Sequence, residues 1–137
     1  MKPGATPSSA RRERILVADD EELVRMAIKA ILSIGGYDLT MAEDGAEAVE
    51  KFREASPRFD LVVLDMHMPR LDGHGALLRI REIDSHARVV LLSGGLHDFA
   101  SEGVTGLEGV AFLHKPFDNE ELLGLVRQIL DSRRAPG

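Results

Sequence analysis

The chain has 137 residues, 17 basic and 23 acidic side chains for a net charge of −6, and 44% hydrophobic residues. That is the length of one domain with enough apolar content for a core, and its acidic balance argues against a nucleic-acid binder or a polybasic membrane surface. The absence of cysteine excludes disulfides, thiolate metal sites and a cysteine nucleophile, and no apolar run nears the roughly 20 residues that cross a bilayer.

Residues 1–13 carry Pro3, Gly4, Pro7, Ser8 and Ser9, then Arg11 and Arg12, and read as a flexible leader. Arg14 extends this arginine group, which is expected to be a solvated charge run. No apolar stretch makes the leader a secretory signal, so the expected setting is the cytoplasm. The first strand is Ile15-Leu16-Val17-Ala18. A helix follows on Val24, Ala27, Ile28 and Ile31, spaced i, i+3, i+4, i+7, and Gly35-Gly36 ends it. Tyr37–Ala42 is a weaker strand, expected near an edge. Asp44 is placed to cap a helix bearing Ala48, Phe52 and Ala55. The run Leu61-Val62-Val63-Leu64 is the third strand, and Ala76, Ile80 and Ile83 mark the third helix. Val89-Val90-Leu91-Leu92 is the fourth strand. The stretch Leu96–Gly109 is the poorest helix, because Gly103, Gly106 and Gly109 each cost about 1 kcal/mol relative to alanine in a helix interior. Val110-Ala111-Phe112-Leu113 is the fifth strand. Asp118 then caps a helix with the stripe Leu122, Leu125, Val126, Ile129, Leu130. Phe52, Phe59, Phe99 and Phe117 are expected to be core or helix-packing residues. The expected domain is 14–132, with residues 133–137 a polar tail.

Four of these runs are continuously apolar, which predicts strands buried on both faces. Strand and helix alternate five times, so the fold class is α/β, an open doubly wound parallel sheet. The first run ends in Asp19-Asp20, the third in Asp65, the fourth in Ser93 and the fifth in His114-Lys115. In a parallel sheet these ends share one edge, where ligands of such sheets bind. Three carboxylates there repel one another unless a cation sits between them, and a hard divalent ion such as Mg2+ suits oxygen ligands. Lysine and serine would face a phosphoryl group. The pattern points to magnesium-assisted phosphoryl chemistry with a carboxylate as candidate nucleophile. Taken singly, each motif has a plainer reading: an acidic first turn at Asp19–Glu22, a turn at Asp65, a loop at Ser93-Gly94-Gly95, a strand-to-helix turn at Lys115-Pro116. Their joint placement on one edge is what defeats those readings. The histidines show no metal-binding pair, so zinc is not expected.

Val17-Ala18-Asp19-Asp20, Leu64-Asp65-Met66-His67-Met68-Pro69 with Leu71-Asp72-Gly73, Leu92-Ser93-Gly94 and Leu113-His114-Lys115-Pro116-Phe117 together resemble the response-regulator receiver domains of two-component signalling. The resemblance covers about Arg14 to Ser132. It implies a flavodoxin-like, five-stranded sheet of order 2-1-3-4-5. It implies that Asp65 is the phosphoacceptor, attacking a phosphohistidine or a small acyl phosphate in line. Asp20 would bind Mg2+ directly together with Asp65, Asp19 through water, and His67 through its backbone carbonyl. Lys115 would pair with Asp65 and then with the phosphoryl group. Ser93 would follow the phosphoryl group, and Phe112 is the matching aromatic switch, altering the face made by the weak helix, the fifth strand and the last helix. The Lys115-Pro116 bond would be cis. The His67 side chain stands where similar proteins tune hydrolysis of the aspartyl phosphate.

Some positions depart from the common pattern. Phe112 replaces a frequent tyrosine, which sets the chain apart from a chemotaxis-type output. Gly94-Gly95 follows the serine where alanine is frequent, and Gly75-Ala76 open the third helix where larger residues are usual. With the glycines of the weak helix, this makes Gly94–Gly109 the expected most mobile ordered segment and the first to respond to phosphorylation. The implied partners are a histidine kinase or histidine phosphotransfer protein and a downstream protein target, with no nucleic acid or membrane, in a monomer or phosphorylation-linked dimer. Met1 and the short leader favour a natural start, and no effector domain is expected after the last helix. The chain would be a signalling switch that catalyses only its own phosphorylation and dephosphorylation, or pass its phosphoryl group onward in a phosphorelay. The alternatives are a receiver module of a hybrid histidine kinase and, from another class, a magnesium-dependent phosphatase with an aspartate nucleophile. The latter would need a second acid/base aspartate, but Met66 and His67 follow Asp65. A flavodoxin-type phosphate binder would need a Gly/Ser/Thr-rich first loop, which Asp19-Asp20-Glu21-Glu22 is not.

Overall fold

The computed structural model describes residues 12–56, 58–94 and 108–134. Among them, β1 (Arg14–Ala18), α1 (Glu22–Ile34), β2 (Asp38–Ala42), α2 (Gly45–Glu54), β3 (Leu61–Asp65), α3 (Gly73–Ile83), β4 (Val89–Ser93), β5 (Val110–His114) and α4 (Asn119–Arg134) follow in order. The strands form one parallel sheet in the order β2-β1-β3-β4-β5. This is the expected 2-1-3-4-5 order, with Tyr37–Ala42 giving an edge strand. Residues 96–107 of the weak helix expected over Leu96–Gly109, with Phe99 and most of the segment expected to be mobile, lie outside the described residues, while Glu108 and Gly109 form a turn.

Each apolar run splits its side chains between two layers, because successive residues of a strand point to opposite faces. Leu16, Val62, Leu64 and Leu91 pack with Phe52 of α2 and Leu77 and Ile80 of α3. Ile15, Val17, Val63 and Val90 pack with Ile28 and Leu32 of α1 and Leu122 and Val126 of α4. Burial on both faces is why these runs show no polar alternation. The fifth run departs from that expectation. Val110–Leu113 is only half-buried, because β5 borders no strand but β4 among the described residues.

The helix ends follow local chemistry. Asp44, Asp72 and Asp118 each accept a hydrogen bond at 2.8 Å from a backbone N–H three residues on. Asp118 adds a reciprocal bond from its own N–H to Glu121, closing a capping box. Gly36 takes a positive φ of 78° just past α1. The buried stripe of α1 is Ile28, Ile31 and Leu32, with Val24 half-buried and Ala27 exposed. It is rotated from the predicted stripe towards Leu32, since Ala27 borders an open groove rather than the sheet. Arg14 also differs from a solvated charge: it opens β1, is half-buried, and holds its guanidinium 4.7 Å from the Phe59 ring centroid.

Candidate functional site

The strand register builds the site. Ala18 pairs with Ala42, Asp65 with Leu92 and Ser93 with His114, so all five carboxyl ends reach one edge. The backbone bonding runs on past the strands: Asp19 N–H donates to Ala42, Met66 to Leu92 and Lys115 to Ser93. The residues after β1, β3 and β5 are therefore held almost as firmly as the strands. Asp19, Asp65 and Lys115 continue the side of the sheet that Val17, Val63 and Leu113 give to α1 and α4. This alternation aims all three at one another.

The Lys115 Nζ lies 2.9 Å from Asp65 Oδ1 and 3.1 Å from Asp19 Oδ2. Asp19 is wholly buried, Asp65 is nearly so, and Asp20 is exposed. One oxygen from each carboxylate lies within 4.8 Å of the others. Burial pushes the Asp65 carboxyl up, and the Asp19 charge adds to this; the hydrogen bonds from Lys115 and from the His67 backbone only partly oppose it. Burial also pulls the Lys115 ammonium down, but the two carboxylates more than reverse this and hold it above the ordinary lysine value. One ammonium thus partly offsets three carboxylates. An all-oxygen donor set with surplus negative charge fits a hard divalent cation such as Mg2+, with Asp19, Asp20 and Asp65 the side chains to hold it.

The predicted residues fall as follows. Asp19, Asp20, Asp65 and Lys115 are brought together. Ser93 is fully buried at the end of β4, one residue beyond the level of Asp65 on the neighbouring strand. Phe112 lies on β5 opposite Leu91 and packs on the α2–α3 side, the side Ser93 also continues. His67 is exposed, and its N–H donates to the Asp65 carboxylate. The Lys115-Pro116 peptide is cis.

Sequence reasoning missed three features. Lys115 bridges Asp19 as well as Asp65. Arg25, on α1, donates from Nη1 to the Asp19 carbonyl at 2.7 Å, while Asp19 Oδ1 accepts from Glu21 N–H at 2.9 Å. These bonds fix the loop before α1, whose N-cap Glu21 supplies no side-chain cap. Arg70, in the loop after Asp65, is ion-paired with Asp44. The i+6 spacing from Asp19 to Arg25 carries no motif, and nothing in the sequence joins residues 44 and 70.

Residues 15–127 match the family described as the response regulator receiver domain. The chemotaxis protein CheY of Bacillus subtilis is 38% identical over 120 residues, spanning 86% of this chain and 98% of that one. The response regulator MprA of Mycolicibacterium vanbaalenii is 42% identical over 119 residues, 85% of this chain and 50% of its own length. The chain thus spans about half the length of that relative. The receiver domain of the sensor histidine kinase PA1611 of Pseudomonas aeruginosa, solved with a magnesium ion coordinated in its active-site cleft, superimposes with a TM-score of 0.79 at 25% identity, over 88% of this chain and 99% of that one. By its sequence match, its sheet order and its acidic edge, this chain belongs to the response regulator receiver domain family.

Proposed function

We propose that the chain is a cytoplasmic phosphorylation switch in which Asp65 takes the phosphoryl group. The observation that carries this reading is the Lys115 ammonium shared between Asp65 and the buried Asp19, 2.9 and 3.1 Å away, beside the exposed Asp20. One oxygen of Asp65 attacks phosphorus in line, the bond from phosphorus to the donor imidazole nitrogen breaks, and an aspartyl phosphate forms. Mg2+, when bound, supplies positive charge to the phosphoryl oxygens and relieves the repulsion among the carboxylates. Asp20 and Asp65 would hold it directly, Asp19 through water, and His67 through its backbone carbonyl. Lys115 turns from Asp65 to the new phosphoryl oxygens. The Ser93 hydroxyl donates to one of them, and Phe112, on the same side of the sheet, reports that movement through the β5 and α4 surface. A partner protein that reads this surface would provide the output, whether as an effector or as the next phosphorelay member.

The donor is a phosphohistidine on a histidine kinase or phosphotransfer protein. Such a donor must cover the rim of Asp65 to bring its phosphorus into line. That rim carries an apolar groove of about 370 Å³ between Leu23, Val24 and Ala27 of α1 and Pro116 and Phe117, and Lys115 borders both groove and site. Leu23 is 79% exposed, a large apolar side chain available to such a partner.

Incubation with acetyl phosphate and Mg2+, followed by intact-mass spectrometry, tests the reading. It predicts one phosphoryl adduct that needs Mg2+, survives acid, is lost in base and is absent from Asp65→Asn. No adduct on a folded, magnesium-binding wild type from either acetyl phosphate or a phosphohistidine protein would contradict it, whereas an adduct from the protein alone would assign a dedicated histidine donor. The phosphatase alternative instead predicts turnover of a phosphomonoester without a lasting adduct.

A further inference from the structure

Arg70 is the one non-glycine residue with a positive φ among the described residues, at 68°. That left-handed backbone is unfavourable for an L-residue, so something holds it. Its guanidinium Nη2 is joined to Asp44 Oδ2. Asp44 is 2% exposed, while the Arg70 side chain is 71% exposed. The other oxygen, Asp44 Oδ1, accepts the Glu47 N–H at 2.8 Å and caps α2. One buried carboxylate therefore ties the start of α2 to the loop that follows Asp65.

That loop, residues 66–72, is fastened elsewhere as well. Gly73 N–H donates to the Met66 carbonyl at 3.0 Å, and Leu71 N–H to the Pro69 carbonyl at 2.7 Å. A Cβ on Gly45 would lie 2.0 Å from the Leu71 carbonyl oxygen, so α2 and the loop touch backbone to backbone. Within the same loop, the His67 N–H donates to the Asp65 carboxylate. These bonds use backbone N–H groups of the loop, whereas the Arg70 ion pair ties it to α2 through two side chains.

We propose that Asp44 and Arg70 are positioning residues for the acceptor: their ion pair fixes the β3–α3 loop against α2 and so sets how the His67 backbone faces the Asp65 site. This rests on the phosphoacceptor reading above. A shift of the loop moves both the His67 N–H on the carboxylate and the carbonyl expected to hold Mg2+. The pair is suited to positioning rather than to folding, since Arg70 is mostly exposed and Asp44 can cap α2 without a charge.

Two substitutions separate these roles. Asp44→Asn keeps the cap, because asparagine caps helices as well as aspartate, and removes the charge. Arg70→Gly removes the guanidinium and relieves the positive φ. In metal-free protein, amide exchange over residues 66–73 should speed about tenfold in both variants, with the amides of β3 unchanged. Mg2+ affinity by titration calorimetry should fall about tenfold, and Arg70→Lys, which keeps a charge, should recover most of it. Should Asp44→Asn fail to fold, Arg70→Gly decides alone. Loop exchange and Mg2+ affinity equal to wild type in Arg70→Gly would overturn the proposal. A wild type that is never phosphorylated at Asp65 would instead contradict the underlying reading, and the metal-free exchange comparison would still decide whether the pair fixes the loop.

Discussion

Lys115 and Asp65 stand 50 residues apart in sequence and 2.9 Å apart in space, just past β5 and at the end of β3, with Asp19 3.1 Å from the same ammonium. The lysine is the cation that lets two buried carboxylates coexist. Removing it leaves them unpaired, so Lys115→Met should destabilise the metal-free protein by about 2–3 kcal/mol, at the low end for a buried pair because Lys115 is partly exposed. Mg2+ should restore part of that loss, since it supplies charge at the same carboxylates. Urea unfolding with and without Mg2+ checks both statements, and an equally stable variant would contradict them.

Asp65→Asn should have the opposite sign. The Asp65 carboxyl is raised in the folded chain by burial and by the Asp19 charge. At low pH both states hold the proton. As pH rises, the unfolded carboxyl ionises first, and stability is lost until the folded one follows. The metal-free variant should therefore melt higher than wild type at about pH 7.5, and the gap should close towards about pH 4. Melting curves at the two values decide it; a gap that widens on acidification has the wrong sign.

Gly73 sets the approach of α3 to the acceptor. A Cβ there would lie 2.4 Å from the Asp65 carbonyl oxygen and 2.9 Å from Met66 Cα, both backbone atoms. Gly73→Ala should cost about 1–3 kcal/mol and slow phosphorylation, because the β3–α3 loop must move. Gly124, in α4, meets nothing within 4 Å, and Gly124→Ala should stabilise by about 0.5–1 kcal/mol. Denaturant midpoints compare the two directly.

The groove beside Lys115 separates protein donors from small ones. Leu23→Asp should slow phosphotransfer from a phosphohistidine protein about tenfold, because a charge enters an apolar contact. Transfer from acetyl phosphate should be unchanged. Equal slowing of both would place the effect in the chemistry rather than in docking.

The sheet was legible because its strands are buried on both faces, so Leu61–Leu64 and Val89–Leu92 read as unbroken apolar runs. The site was legible because its residues directly end those runs. What sequence could not show depends on contacts between distant elements. The stripe of α1 is centred by its packing on the sheet, which buries Leu32 and leaves Ala27 on the groove rim. Composition groups Arg14 with the preceding arginines, yet its position on β1 seats it over Phe59. Arg25 and Arg70 act on backbone and carboxylate partners that only the fold brings near, and an arginine at positive φ contradicts the local preference that sequence reading relies on.

The central claim is that Asp65 itself becomes the acyl phosphate. Borohydride reduction of the chain after treatment with acetyl phosphate and Mg2+ converts an aspartyl phosphate to homoserine, and peptide mass spectrometry finds the position. The account predicts homoserine at residue 65, only with Mg2+, and none at Asp19 or Asp20. Modification at either of those residues, or a phosphoryl group mapped to a serine or histidine, would contradict it.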